Sequence, residues 1–415
     1  MTLPRLTESS LVRHAGFSYF PIAFIARLPF AMMVVGVLTL VVAERDSVAL
    51  GGLNAAVAGI GTALAGPLLG AAADRLGQRR VLVPLGLLNA VLLGIFVLVV
   101  SSSAPDLAVL ALSVLIGASA PQVPPLSRTR LVAIIKQKVQ PDRREKLLNG
   151  TMAYESAADE MVFIVGPFLV GLLATAIAPW VAIAGAAVLT SVFVTAFALH
   201  PTGRLQPGTA GHRTDQAPAR ELVTSPVMTV VAGTLGVGIF FGATLTSLTG
   251  FLEESGDGDR AGLLYGVMGI GSAALALGSA ALPQRFTAKA RWLVFAFLLL
   301  AAALGYGTAR SETGLLVALA VLGFGIGPTL VALYSLAATL SPAGRSATTM
   351  TMLGSAVVVG QAVASAATGY VADQMSPETA LLLPALAAAL VVAAGLAHRA
   401  PARQPTEPAR ELVSA

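Results

Sequence analysis

The sequence predicts an all-α membrane protein in which twelve transmembrane helices form two six-helix bundles. Three observations carry this. The 415 residues are 56% hydrophobic and 11% charged, with a mean hydropathy of +0.81, against about 25% charged residues in a typical soluble domain. Such a chain cannot cover itself with a polar surface, so part of its apolar area faces something other than water. Twelve stretches reach the roughly 20 apolar residues that a bilayer-spanning helix needs. Lys and Arg fall almost entirely on alternate connections between them. The composition excludes soluble enzymes, disordered tails and nucleic-acid readers. The net charge of +5 and pI near 9.8 therefore reflect membrane topology, with no nucleic-acid partner expected. Cys is absent, which excludes disulfides, thiolate metal sites and cysteine nucleophiles.

The first stretch, 16–43, is too long for a cleavable signal and has no small-residue cleavage site. It is apolar on both sides of a single charge, Arg27. Stretches 48–72 and 81–101 follow, joined by a basic turn holding Arg75, Arg79 and Arg80. The fourth, 107–127, ends at the most basic connection of the chain. The fifth, 149–176, carries Glu155, Asp159 and Glu160 before a Gly166-Pro167 step, and the sixth is 179–200. Residues 201–225 are polar and rich in Pro, Gly and Thr, the composition of a flexible linker. Apolar stretches resume at 226–251, 260–283, 292–309, 314–340, 347–371 and 378–397. The expected organisation is a first bundle over 1–200, a linker over 201–225, a second bundle over 226–400 and a polar tail over 401–415.

With the N-terminus inside, 22 of the 26 Lys and Arg residues fall on the inner side. Outside are Arg45, Arg260 and Arg310, and Arg27 lies within the first stretch. The fourth connection is the richest, with Arg128, Arg130, Lys136, Lys138, Arg143, Arg144 and Lys146. This asymmetry predicts a multi-pass protein of the cell (plasma) membrane with both termini cytoplasmic. Trp180 and Trp292, at the ends of their stretches, are expected as interfacial anchors.

The halves echo each other. Val114-Leu115-Ile116-Gly117 leading to Pro121 matches Val321-Leu322-Gly323 leading to Pro328. Gly70-Ala71-Ala72-Ala73 before a basic turn matches Gly278-Ser279-Ala280-Ala281 before Gln284-Arg285 at nearly the same offset. Parallel repeats of this kind build two bundles related by an axis along the membrane normal.

The turn after the second stretch runs Gly70-Ala71-Ala72-Ala73-Asp74-Arg75-Leu76-Gly77-Gln78-Arg79-Arg80. It resembles the signature loop of the major facilitator superfamily: a Gly, three small or apolar residues, Asp-Arg, an apolar residue, Gly, then basic residues. Gly70 permits close helix packing and Gly77 a tight turn. Asp74 can cap a helix start or pair with a base, and the Arg residues favour the inner leaflet. The resemblance implies a two-bundle secondary transporter working by alternating access. It also implies that Gly70, Asp74, Arg75, Gly77, Arg79 and Arg80 act at an inner gate. A second element, Phe163-Ile164-Val165-Gly166-Pro167-Phe168-Leu169-Val170-Gly171, is similar to the Gly-Pro element of exporters in that superfamily. Only one Gly, Gly171, follows the proline here instead of the usual pair. The arginine that the family usually places shortly before the glycine cluster of the fourth helix is missing ahead of Gly117.

Arg27 lies about 16 Å along its helix and Asp159 about 15 Å along its own, both counted from the inner side. The two should share a depth inside the hydrocarbon. Glu155 and Asp159, four apart, share a helical face, while Glu160 is rotated by about 100° from Asp159. An isolated charge at this depth costs a few kcal/mol or more on insertion scales, so these groups should face the interior and find partners. One Arg against three carboxylates leaves an excess of acid, which can carry a proton and release it when the site opens.

The candidate polar groups for a substrate cavity are few: Tyr19, Asn54, Gln122, Thr244, Ser247, Tyr265, Tyr334 and Gln361. So lean a set favours a hydrophobic or amphipathic small molecule over a sugar. His14, His200, His212 and His398 have no metal-ligand spacing, and no metal or cofactor is expected. The reading is proton-coupled efflux of such a molecule by a protein that needs no second copy. Glu155, Asp159 and Glu160 are the coupling candidates and Arg27 is their counter-charge. The alternative is import of an anionic solute bound by Arg27. An intramembrane enzyme is the remote alternative, since no acidic, His or phosphate-binding motif is present.

Overall fold

A computed structural model describes residues 11–205, 216–253, 260–283, 285–309 and 311–399. Arg5, Arg213, Arg310, Arg403 and Arg410, the middle of the linker and the tail lie outside the described residues. Among those described there are twelve helical spans and no strand. Spans 1 to 6 are Tyr19–Arg45, Leu50–Leu76, Gln78–Val100, Asp106–Lys138, Pro141–Ala176 and Pro179–Leu199. Spans 7 to 12 are Ser225–Glu253, Ala261–Ala281, Ala288–Thr308, Glu312–Leu340, Ser346–Gln374 and Pro377–Ala397.

Spans 4 and 5 outrun their apolar windows. Span 4 breaks after Ala118 and restarts at Val123, with prolines in the first turn of the second piece, where a missing N–H removes no helical bond. That piece runs to Lys138, and span 5 begins at Pro141. The seven basic residues expected in a loop are therefore helical, and Arg128 and Arg130 are buried. A charge ends an apolar window, but it does not end a helix when buried partners receive it. Span 1 breaks as well, between Ile25 and Leu28. Pro29 cannot bond back to the Ile25 carbonyl, and the chain tightens into Arg27 N to Phe24 O and Phe30 N to Arg27 O bonds, both 3.2 Å. The break sets Arg27 at the head of the second piece.

The internal repeat has a packing counterpart. Gly117 of span 4 lies against the Ala58 backbone of span 2, and Gly323 of span 10 against the Met268 backbone of span 8. A Cβ on either glycine would collide with a carbonyl, so the same small-residue contact joins the second and fourth helix of each set. Trp292, expected at an interface, is instead fully buried. Gly233 and Gly395 open the slot its indole fills.

The two sets of six meet along spans 2 and 11 and along spans 5 and 8. Gly66 faces Ser355, Gly70 faces Ala347 and Thr351, Gly150 faces Ala280 and Gly269 faces Ile164. These contacts run from mid-span to the end where the linker attaches, called the linker end below. Val132, Met152 and Ala153 of the first set also join the apolar core of the second. The distal part of the linker is docked there. Ala217 N donates to Ala343 O at 3.0 Å, Gln216 to Gly344 O at 3.3 Å, and Arg345 Nε to Ala217 O.

Candidate functional site

The break in span 1 and the second piece of span 4 bring two arginines to the acidic face of span 5. Arg27 Nη2 donates to Glu155 Oε2 at 2.5 Å, and its Nε lies 3.4 Å from Asp159 Oδ1. Arg128 Nη2 donates to Asp159 Oδ2 at 2.7 Å. Glu155 Oε1 accepts from Ser127 Oγ at 2.9 Å, and Ser127 Oγ lies 2.7 Å from the Tyr19 hydroxyl. Arg27, Arg128 and Glu155 are buried, whereas Asp159 keeps 21% of its side chain exposed. The expected common depth of Arg27 and Asp159, and the shared face of Glu155 and Asp159, are both realised.

Glu160 is not part of this group. It is turned about 100° away from Asp159, as the helical rotation requires, and accepts from Ser272 Oγ of span 8 at 3.1 Å. The expectation of one arginine against three carboxylates is corrected accordingly. The cluster holds two arginines and two carboxylates, and Glu160 stands apart with no cationic partner among the described residues. Arg27 Nε and Nη1, Arg128 Nε and Asp159 Oδ1 are buried and make no hydrogen bond among the described residues, so the cluster retains donor and acceptor capacity.

The glycine-rich turn after span 2 works across the interface. Asp74 accepts from Ala347 N at 2.9 Å, Thr348 N at 2.7 Å and Thr348 Oγ1 at 2.7 Å, capping the first turn of span 11. Gly70 packs on the same turn, and Gly77 takes φ +86° to reverse the chain. Arg75, Arg79 and Arg80 are exposed and make no hydrogen bond to the second set among the described residues. Gln78 donates to Leu126 O at 3.0 Å and accepts from Arg130 Nε at 2.6 Å, fixing the turn to span 4.

The family model described as Major Facilitator Superfamily matches residues 19–312 and 256–414. The chain belongs to the major facilitator superfamily. No curated protein matches it by sequence. Several solved structures share its fold. The human organic anion transporter MFSD10 (TETRAN) has 18% identity and a TM-score of 0.69, over 94% of this chain and 100% of that one. FucP in the outward conformation has 14% identity and a TM-score of 0.64, over 92% and 100%. A bacterial homologue of the iron transporter ferroportin, outward-facing, has 14% identity and a TM-score of 0.73, over 94% and 99%. At such identities the likeness is one of fold. As a member of the superfamily the protein is a multi-pass secondary transporter of a small molecule, not an enzyme.

The remaining family elements are partly realised. Gly166 packs on Ala31 and Met32 of span 1, and Pro167 lies inside an unbroken helix. Gly171 has no heavy atom near its missing Cβ, so another helix approaches closely at Gly166 and not at Gly171. The family's usual arginine ahead of the glycine of span 4 is absent, but Arg128 comes from the second piece of that span. Sequence reasoning missed Arg128 because hydropathy ended the stretch at residue 127. The Pro124-Pro125 pair, a helix-restart signal, was the available clue. Among the lean polar groups, Asn54 accepts from Ser113 at 2.7 Å and Ser247 lies 3.2 Å from the Tyr306 hydroxyl, so these bridge helices. Tyr334 does something else: its ring lies under the Arg128 guanidinium, 3.8 Å away.

Proposed function

We propose that this transporter is a proton-coupled exporter of hydrophobic or amphipathic small molecules in the plasma membrane. It works by alternating access between bundles 1–200 and 226–400, joined by the linker 201–225. The positive-inside asymmetry makes the linker end cytoplasmic, with both termini inside. Contacts between the bundles gather at that end, which corresponds to an outward-facing state. One copy suffices for this cycle.

The observation that carries the reading is Glu160. It is an acid without a cationic partner among the described residues, and it bonds from the first bundle to Ser272 of the second. Such a carboxylate can take a proton on one side and yield it on the other only if its surroundings change as the bundles rock. That dependence is what coupling requires. Asp159, half shared between Arg27 and Arg128 and the more exposed member of its cluster, is the second coupling group. Glu155, fully buried and bonded to Arg27 and Ser127, holds Arg27 in place. The lean set of polar side chains supports a lipophilic substrate, and the Gly166-Pro167 step supports export. Import of an anion through Arg27 is disfavoured, because Glu155 and Asp159 already neutralise that guanidinium's charge.

The test uses purified protein in liposomes containing a pH-sensitive dye, challenged with lipophilic cations, neutral drugs and organic anions. Substrate-triggered proton flux is expected in wild type and is expected to disappear in Glu160→Gln, with Asp159→Asn run alongside. Flux that survives both substitutions removes the coupling role of span 5. Flux triggered only by anions and lost in Arg27→Ala establishes import instead.

A further inference from the structure

The polar groups of spans 4 and 5 grip the second bundle at two points. One is Glu160 on Ser272. The other is Arg128, whose guanidinium lies over the Tyr334 ring of span 10, 3.8 Å from its centroid. A guanidinium donates hydrogen bonds along its edges and attracts an aromatic ring through its face. Arg128 does both at once, with one edge on Asp159 at 2.7 Å and its face on Tyr334. It has only part of a carboxylate, because Asp159 also faces Arg27. The ring therefore supplies a share of the compensation that a buried cation needs. Arg128 is 1% exposed and Tyr334 6%, so water and salt screen this contact little. Tyr334 lies six residues before the end of span 10 at Leu340, about 9 Å from the linker end. The pair thus sits on the closed side of mid-span, where the bundles must part for that end to open.

We infer that Tyr334 is a positioning residue of the transport cycle: its ring clamps Arg128 of the other bundle and holds the linker end shut. The inference rests on the alternating-access reading above and is independent of which ion drives transport. Opening the linker end separates the pair and leaves Arg128 with Asp159 alone, so the clamp ties the state of the charge cluster to the position of the second bundle.

The chain lacks Cys, so labels can be placed freely. Lys138→Cys and Arg285→Cys put spin labels on exposed linker-end sites of the two bundles. Distances between them, read by double electron–electron resonance in nanodiscs without substrate or proton gradient, report the open-to-closed ratio. Tyr334→Leu is expected to raise that ratio on the order of tenfold, while Tyr334→Phe, which keeps the ring, stays within about twofold of wild type. In an Arg128→Gln background, Tyr334→Leu is expected to add nothing. If Tyr334→Leu does not yield folded protein, Tyr334→Met replaces the ring with a flexible chain. Unchanged distances with Leu or Met overturn the clamp. So does an equal opening with and without Arg128, which makes the effect one of packing. Neither result touches proton coupling, which the liposome assay decides separately.

Discussion

At the scale of single residues, the buried arginines and carboxylates of spans 1, 4 and 5 answer one another's charge. Arg27 and Glu155 are 1% and 0% exposed and 2.5 Å apart. Removing one partner of such a pair leaves the other uncompensated. Arg27→Ala should cost about 3–5 kcal/mol of stability, whereas replacing both by apolar residues should be far milder. Thermal unfolding of Arg27→Ala beside Arg27→Met/Glu155→Met checks this, and an equally large loss in the double variant removes the pairing as the cause. Arg27 and the span 5 acids were legible in the sequence because a charge flanked by apolar residues is conspicuous. Arg128 and Arg130 were not, because they follow the apolar window directly and resemble loop charges until the chain is folded around them.

At the scale of elements, close helix contacts are made by glycine. Gly117 on Ala58 and Gly323 on Met268 are equivalent contacts in the two halves, each against backbone with no flexible side chain to yield. Gly117→Val and Gly323→Val should each destabilise by about 1–3 kcal/mol, the range for forcing extra methyl groups into a filled space. The comparison that matters is between them. Similar losses in detergent unfolding identify one repeated packing unit, and a loss at only one site breaks the equivalence. The repeat was visible in the sequence as two weak matches at a common offset. Which helices those glycines join was not, since a glycine marks close approach without naming the partner.

At the scale of the whole molecule, each bundle is fastened at the linker end by a histidine from the end of its last helix. His200 Nε2 lies 3.3 Å from Ser18 Oγ, and His398 Nδ1 lies 2.7 Å from Thr229 Oγ1, both partners sitting where the first helix of the same bundle starts. Burial, and then the charge of Lys289, hold His398 below its ordinary value of 6.5. Burial and Arg130 do the same for His200. The sign follows directly. The unfolded chain binds these protons first as pH falls, so the contribution of both residues to stability is complete above about pH 6.5 and is lost progressively below it. His398→Gln should flatten the acid side of the stability profile. Melting temperatures between pH 7.5 and pH 5 compare it with wild type, and parallel curves dismiss His398 as a source of the pH dependence.

The number of spans and the two halves were legible along the chain because they depend on solvent, and the family because the turn over 70–80 is contiguous. A hydrocarbon core demands about 20 apolar residues per crossing, and that demand is written locally along the chain. The depth of Arg27 and the shared face of Glu155 and Asp159 also followed, because helix geometry alone fixes both. The partners across spans emerge only on folding. Asp74 caps the first turn of span 11, Glu160 reaches Ser272, and Arg128 lies between Asp159 and Tyr334. These contacts join residues more than thirty positions apart, most of them across the two halves. No local period records such distances; they arise when the bundles dock and each buried polar group must find its answer.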